Sequence, residues 1–485
     1  MQLLGRRKIF TDHTEITEAN IVEVLSDALG VHAVNASEIQ YLRRYVRGMQ
    51  PIRNRKKKVR KDVNNKVVVN IAQECLDFRL GFSWGTPIAI SRRSGCNANN
   101  GVELFNGYME EQGKDDVDQD LANDFLIGGL AYRAVLPNPV SFEESPFKLA
   151  KLDAETTFCV YTNDVFKRKV LGVSFCQHRD GTTTYTAYTN SQRFEILAGP
   201  TGMKLIEASY NGLGCIPIAV YEAPDLSGCY ERSLPLLDAI NVLSSNRLDD
   251  IEQFVASILW IHNADMSDDD LARLDELLAV RTNSSGDGQQ AVLKYLSTPL
   301  DQTSVETLEQ SMENHVYELC GVPGRVQSSG GSTGAAAELG EAGWKKIDYI
   351  AKRHENAWKR GERETLSIAL AILDRSTSLP TEVSALKLVD FEISFVRSKN
   401  YNVLTKTQGM LNMLQAGVHP RIAYRESELF PDPEQVYQDS IPYIEKAMER
   451  MNGVSRETGD ITNQPKGEKS MTQAVQNQAI VQKRD

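Results

Sequence analysis

Apolar positions along the chain change period several times, and the changes divide it into parts. Leu237, Ile240, Leu248, Ile251, Val255 and Ile258 recur at helical spacing, with Ser233 as N-cap and Pro235 in the first turn. This predicts an amphipathic rod of about 28 residues, roughly 40 Å long. A second stripe, Val305, Leu308, Met312, Val316 and Leu319, is closed by Gly321 and Pro323. Next come Gln327, Ser328, Ser329, Gly330, Gly331, Ser332, Thr333 and Gly334, residues too small to build a core. From Ala335 to about Leu373 no proline intervenes, and Leu339, Ile347, Ile350, Trp358, Leu366, Ala369 and Ile372 keep one long helical period.

Ahead of the first rod the pattern predicts a loosely held arm to about residue 15, then short helices over Ile16–Leu29 and Ala36–Arg47 and a helix over Lys66–Gly81. Asp116, Asp118 and Asp120 alternate like a calcium loop, but Leu121 and Ile127 stand where glycine and glutamate belong. A helix start fits better, since acids favour the positive end of the dipole and Leu121, Phe125, Leu126 and Leu130 continue one stripe. From Ala131 to Tyr221 the period becomes two. Phe158–Tyr161, Val170–His178, Thr182–Tyr188 and Phe194–Leu197 read as strands, with Asp180-Gly181 as a hairpin turn and Ile216–Tyr221 as the last strand of that sheet. The fold class is therefore α+β.

Between the rods, Ile261–Pro299 has its own pattern: Ser267 caps a short helix carrying Leu271, Leu274, Leu277 and Leu278, and Ala291–Leu296 reads as a strand. Asp265, Asp268, Asp269 and Asp270 suit that helix start better than a metal. After the long helix, Ala385–Arg397 predicts a strand returning to the earlier sheet. Helices follow over Thr405–Ala416, Pro420–Leu429 and about Glu434–Met451, and the polar stretch Asn452–Asp485 predicts disorder.

Composition narrows the class. With 485 residues, 41 % hydrophobic and 25 % charged, the chain is ordinary for a globular protein of two or more cores. No apolar run reaches membrane-spanning length and Met1–Arg7 lacks a signal-peptide pattern, so a cytosolic site of synthesis is expected. The seven cysteines form no CxxC and read as reduced packing residues. A net charge of −11 argues against a protein that clamps duplex DNA, though not against one that DNA passes through. The one dense basic run, Arg53, Arg55, Lys56, Lys57, Lys58, Arg60 and Lys61, reads as solvated surface before nucleic-acid contact.

Several local sequences carry a family likeness. Leu236-Leu237-Asp238-Ala239-Ile240-Asn241 with Ser244-Ser245, Gly321-Val322-Pro323, and Gly331-Ser332-Thr333-Gly334-Ala335 fall in order, with weaker matches at Asn70-Ile71-Ala72, Gly81, Pro87 and Thr157–Tyr161. Over roughly Asn64–Glu445 the chain resembles the portal proteins of tailed bacteriophages with long non-contractile tails. The resemblance implies an arm and wing helices over 1–63 and an α+β wing over 64–232. It implies a first stem helix over 233–262, a clip over 263–299 that carries Leu271 to Leu278, and a second stem helix over 300–321. A tunnel loop over 322–334, a long helix and returning strand over 335–400, crown helices over 401–451 and the disordered tail complete the order. Gln327 to Gly334 would face DNA, and Arg325 would be a phosphate contact. It further implies a ring, dodecameric in virions, at one capsid vertex. Implied partners are the terminase large subunit, the head-completion adaptor, the major capsid and scaffolding proteins, and double-stranded DNA passing through without sequence readout. No membrane and no cofactor are expected.

Catalytic signatures are missing. No G-x-x-x-x-G-K-[ST] occurs, and Gly330–Gly334 is followed by three alanines, which disfavours the alternative of an ATP-driven translocase. No H-E-x-x-H appears, so a structural protein rather than an enzyme is expected; a non-phage α+β scaffold is the remaining alternative.

Overall fold

The computed structural model describes residues 3–444 except 59–60, 62, 94–99, 140–144, 201, 256–257, 263, 266–282, 285–291, 297–302, 324–333, 377–379, 396–402, 428 and 431–432. Residues 1–401 form one unit and 402–485 a second. The architecture is α+β.

Strand β1 (Ile9–Thr11) lies parallel on β5 (Thr157–Thr162), so the arm expected to be loose is anchored. Arg6 explains why: buried, it pairs with Glu38 and Glu231, and its Nε donates to Leu226 O at 2.8 Å. The two short helices predicted next are one, α1 (Ile21–Val46). Its middle is fixed by tertiary contacts, as His32 Nε2 lies 2.9 Å from Glu155 O and its ring stacks near Phe158 at 4.5 Å. Helix α2 (Ile71–Trp84) starts later than the period suggested, because residues 64–70 are engaged elsewhere. Then come β2 (Ala89–Arg92), α3 (Gly101–Glu111) and α4 (Lys114–Gly128). Helix α4 has Asp115 and Asp116 in its first turn, as the dipole favours.

The β region divides into two sheets. One has six strands in the order β1-β5-β6-β7-β8-β9, with β6 (Lys169–Gln177), β7 (Thr183–Tyr188), β8 (Gln192–Gly199) and β9 (Gly202–Tyr210). Gly181, at φ 83°, supplies the left-handed residue in the Asp180-Gly181 turn, and Asp180 Oδ1 accepts from Thr182 N at 2.9 Å. The other sheet has the order β10-β3-β4, from β3 (Leu130–Pro137), β4 (Phe147–Leu152) and β10 (Ile218–Glu222). The strand read as the last of the first sheet thus belongs to the second. A strand's period gives its faces but not its partner.

Helix α5 (Leu234–Val255) ends before Ile258, which opens β11 (Ile258–His262). That strand pairs antiparallel with β14 (Val292–Leu296), while β12 (Ala264–Asp265) pairs with β13 (Asn283–Ser284). The first rod is therefore shorter than its apolar spacing suggested. β-Branched and aromatic residues at 258–262 find a cross-strand partner that the helix could not offer. Helix α6 (Thr303–Cys320) and the 40-residue α7 (Gly334–Leu373) follow. Strand β15 (Phe391–Ser394) pairs with β2 instead of returning to the larger sheets. In the second unit lie α8 (Val403–Gln415), α9 (Pro420–Ser427) and a helix over 433–444, with Tyr424 stacked on Phe430 at 5.5 Å. Among the described residues no helix is long and apolar enough to cross a membrane.

The largest core forms where α7 crosses the smaller sheet. Trp358 is fully buried among Trp84, Phe125 and Tyr221, with ring centroids 5.2, 5.4 and 4.5 Å away. One turn on, Gly361 lets helix and strand touch, since a Cβ there would lie 2.6 Å from the Tyr221 ring. Beside it, Glu362 is wholly buried with Lys114 at 3.0 Å and Arg133 at 3.2 Å, and Asp118 pairs with both cations. Tyr221 OH donates to Glu362 at 2.8 Å. Burial alone would raise the Glu362 carboxyl, but Lys114 and Arg133 outweigh it and hold it below its ordinary value. A depressed carboxyl contributes stability above the unfolded-state value of about 4.3 and loses it as pH falls through the folded value. Glu362→Gln should therefore cost about 3–5 kcal/mol at pH 7 and flatten the loss of stability below about pH 4.3. Urea unfolding of both proteins across pH checks this, and an unchanged acid limb would clear Glu362 of the role.

Candidate functional site

Helices α5 and α6 lie side by side, with Glu309 accepting from Ser244 and pairing with Arg247. Of the residues that the apolar period placed on the first rod, Leu237 and Ile240 enter the main core, whereas Leu248 and Ile251 are each 43 % exposed. Val255 is the last residue of α5. On the second rod Val316 is buried, Val305 and Met312 are half-buried, and Leu308 and Leu319 are exposed. On the first rod the apolar stripe thus joins the core at one end and stays open at Leu248 and Ile251, whereas on the second Leu319 is exposed beside the buried Val316.

The other face of α5 carries a feature that apolar spacing does not reveal. Asn241, Ser245 and Asp249 are buried polar residues four apart, and alternate backbone N–H groups of an adjoining segment donate to them. Val69 N reaches Asn241 Oδ1 at 2.8 Å, Val67 N reaches Ser245 Oγ at 3.0 Å, and Asn65 N reaches Asp249 Oδ1 at 2.7 Å. The spacing explains the fit. Four helical residues rise about 6 Å, and two residues of extended chain advance about 6.6 Å, so the two repeats stay in step for three bonds. Backbone donors that would otherwise need a sheet are satisfied by one helix.

The same strap turns the basic run inward in part. Arg55 Nη1 and Lys57 Nζ lie 3.0 and 2.6 Å from Asp249 Oδ2, and Arg55 also donates to Asn246. Arg53, Lys56, Lys58 and Lys61 remain exposed. Burial pushes the Asp249 carboxyl up, but hydrogen bonds from Lys57 and Asn65 prevail and hold it below the ordinary carboxylate range. At the other end, Gln50 receives a bond from Asn241 and donates to Asn70 Oδ1 at 3.0 Å, while Asn70 Nδ2 reaches Val46 O at 2.6 Å. The signal in the sequence was the polar i, i+4, i+8 stripe on an otherwise apolar rod.

Cys75 and Cys320 are buried where α2 meets α6, and Ser233 Oγ lies 3.4 Å from Cys320 Sγ. A hydrogen bond to Cys320, together with burial, pushes the Cys75 thiol up, and the six described cysteines are all free. Cys75 and Cys320 pack side by side as free thiols. Asp118, from the calcium-like triplet, is committed to Lys114 and Arg133. Gln327, Ser328, Ser329, Gly330, Gly331, Ser332, Thr333 and Arg325 lie outside the described residues, as do Leu271, Leu274, Leu277 and Leu278; Gly334 opens α7.

Comparison with known proteins gives one family. The sequence model described as phage portal protein, SPP1 Gp6-like, matches residues 28–435. Similar solved structures include the neck of an empty gene transfer agent particle, at 13 % identity over 73 % of this chain and 88 % of that one, with TM-score 0.44. Another is the virion of a native gene transfer agent particle, at 11 % identity over 72 % and 85 %, with TM-score 0.38. No curated protein matches the sequence.

The strap bears on stability at a defined place. Asp249→Ala leaves Arg55, Lys57 and the Asn65 N–H without their buried acceptor, a loss of about 1–3 kcal/mol. Trypsin at pH 8 should then cut within Arg53–Lys66 about tenfold faster at constant global melting temperature. Equal cleavage of the two proteins would show that Asp249 does not hold the strap.

Proposed function

The chain belongs to the SPP1 Gp6-like family of phage portal proteins, and from that membership we propose that it closes into a ring-shaped channel at one capsid vertex, through which double-stranded DNA is packaged and ejected. The observation that carries this reading onto the chain's own parts is their order. A helix (α5), a β insert, an antiparallel-capable helix (α6), a segment of small residues and a 40-residue helix succeed one another between Leu234 and Leu373. One contact repeated around an axis turns such paired rods into the wall of a closed ring.

Within that ring, α5 and α6 form the stem, and the β insert forms the clip that meets the terminase large subunit during packaging and the head-completion adaptor afterwards. The wing faces capsid and scaffolding proteins, and 403–444 supplies crown helices. Gln327 to Gly334 forms the tunnel loop. Its amide and hydroxyl groups contact phosphates without reading sequence, and the lack of lysine or arginine within it keeps the grip weak. The protein works as a non-catalytic conduit and docking platform. The absence of a phosphate loop supports that view.

Native mass spectrometry with negative-stain imaging tests the assembly. A closed ring of about a dozen copies with a central hole is expected, and a chain that stays monomeric both alone and with scaffold and capsid protein would overturn it. The loop is tested separately by aspartates at Ser328, Ser329, Ser332 and Thr333. Rings should persist while packaged DNA falls by about tenfold through repulsion of phosphate, and undiminished packaging would remove the loop from the DNA path.

A further inference from the structure

Helix α5 leaves two apolar features uncovered, and they lie on different sides of the helix. The first is a groove of about 410 Å³ between α5 and α6, lined by Ala239, Val242, Leu243, Leu308 and Met312 with Asp238 and Asn246 at its margin. Val242 and Leu308, on its lips, are 44 and 53 % exposed. The second is a ridge made by Leu248 and Ile251, each 43 % exposed. At about 100° per residue, Val242 and Ile251 are half a turn of the helix apart, and Val242 and Leu248 a third of a turn. Ridge and groove therefore point away from each other and cannot meet within one chain.

We propose that Leu248 and Ile251 of one copy seat in the α5–α6 groove of the next, so that the subunits join head to tail through this pair of surfaces. The proposal deepens the ring reading and rests on it. A two-fold contact would require each patch to be complementary to itself, with groove and ridge presented on a shared face. A knob on one side of a helix and its socket on the other instead generate a heterologous contact. Such a contact repeats in one direction and closes when the rotation allows.

Charge points the same way. Arg55 and Lys57 reach Asn246 and Asp249 beside the groove, and on the same segment Lys56 and Lys58 are exposed. The ridge is bordered by the exposed Glu252, whose carboxylate accepts from Asn65 Nδ2 at 2.7 Å. Seating the ridge in the groove brings this acid toward those lysines. The groove is too small for a folded module and suits two aliphatic side chains, whose burial on both sides removes apolar surface from water.

Directionality makes the proposal testable by complementation. One variant, Leu248→Asp with Ile251→Asp, loses the ridge and keeps the groove. The other, Val242→Asp with Leu308→Asp, loses the groove and keeps the ridge. All four positions are exposed, so both should melt like the wild-type monomer; should either fail to, serine replaces aspartate at the same positions. Alone, each variant should stay monomeric by native mass spectrometry. Mixed in equal amounts, they should give a capped 1:1 heterodimer and nothing larger, because only one of the two possible pairings keeps both surfaces intact. As an independent arm, Glu252→Lys should lower ring yield at low salt, and adding Lys56→Glu and Lys58→Glu to it should restore the yield. Rings formed by either apolar variant would overturn this contact and leave the ring reading standing. Variants that remain monomeric when mixed would overturn the head-to-tail pairing. A wild-type chain that forms no ring, alone or with scaffold and capsid protein, would defeat the ring reading itself.

Discussion

Two cations and two carboxylates shut away from water in the same place govern how the larger unit is put together. Lys114, Arg133, Asp118 and Glu362 are each almost fully buried, so none can be ionised there unless the others are in position. They come from α4 and β3, which are consecutive, and from α7, more distant in the chain. Their mutual neutralisation sets the register of the long helix on the smaller sheet, and Gly361 permits the close approach that brings Glu362 within reach. The aromatic cluster around Trp358 then fills the space beside the charges. Apolar burial supplies the bulk of the stabilisation, while the ion cluster selects one placement of α7 among the several that an amphipathic helix could take.

Helix α5 obeys a different rule. It is gripped by the main core at Leu237 and Ile240, and along its length by a strap whose N–H groups find acceptors at Asn241, Ser245 and Asp249. The match between a four-residue helical rise and a two-residue extended advance lets one helix do what a neighbouring strand would do in a sheet. Part of the basic run is consumed in this task. Arg55 and Lys57 neutralise Asp249, so the segment that stood out as a block of positive charge is a structural tie on one side and a charged surface on the other. Among the described residues, Leu248 and Ile251 of α5 and Leu308 of α6 stay largely exposed. A portal subunit built to be one stave of a barrel would leave its surfaces in this condition.

How legible all this was varied with the kind of interaction. The helix at 334–373 and the hairpin at Asp180-Gly181 could be read directly, because long uninterrupted periodicity and a left-handed turn glycine are local properties. The end of α5 could not. Ile258 continues the helical spacing, yet a strand partner at Leu296, 38 positions away, claims it. The arm also misled, since only the buried acids Glu38 and Glu231 turn Arg6 from a surface cation into an anchor. The strap was half visible, as a polar stripe on an apolar rod, but the segment that lies on it shares its apolar spacing with the start of α2 and so reads as helix.

By itself the sequence determined the α+β class, the alternation of helix, insert, helix, small-residue segment and long helix, and the likeness to portal proteins. These follow from near-neighbour spacing and from short local patterns, which the chain carries wherever it folds. Tertiary structure alone decided which strand joins which sheet, which ends of the stem stripes are covered, and which charges are buried. Each of those depends on residues that are not near neighbours in the chain meeting in a medium from which water is excluded. The free energy of a partner depends on where it stands, and no local pattern encodes that.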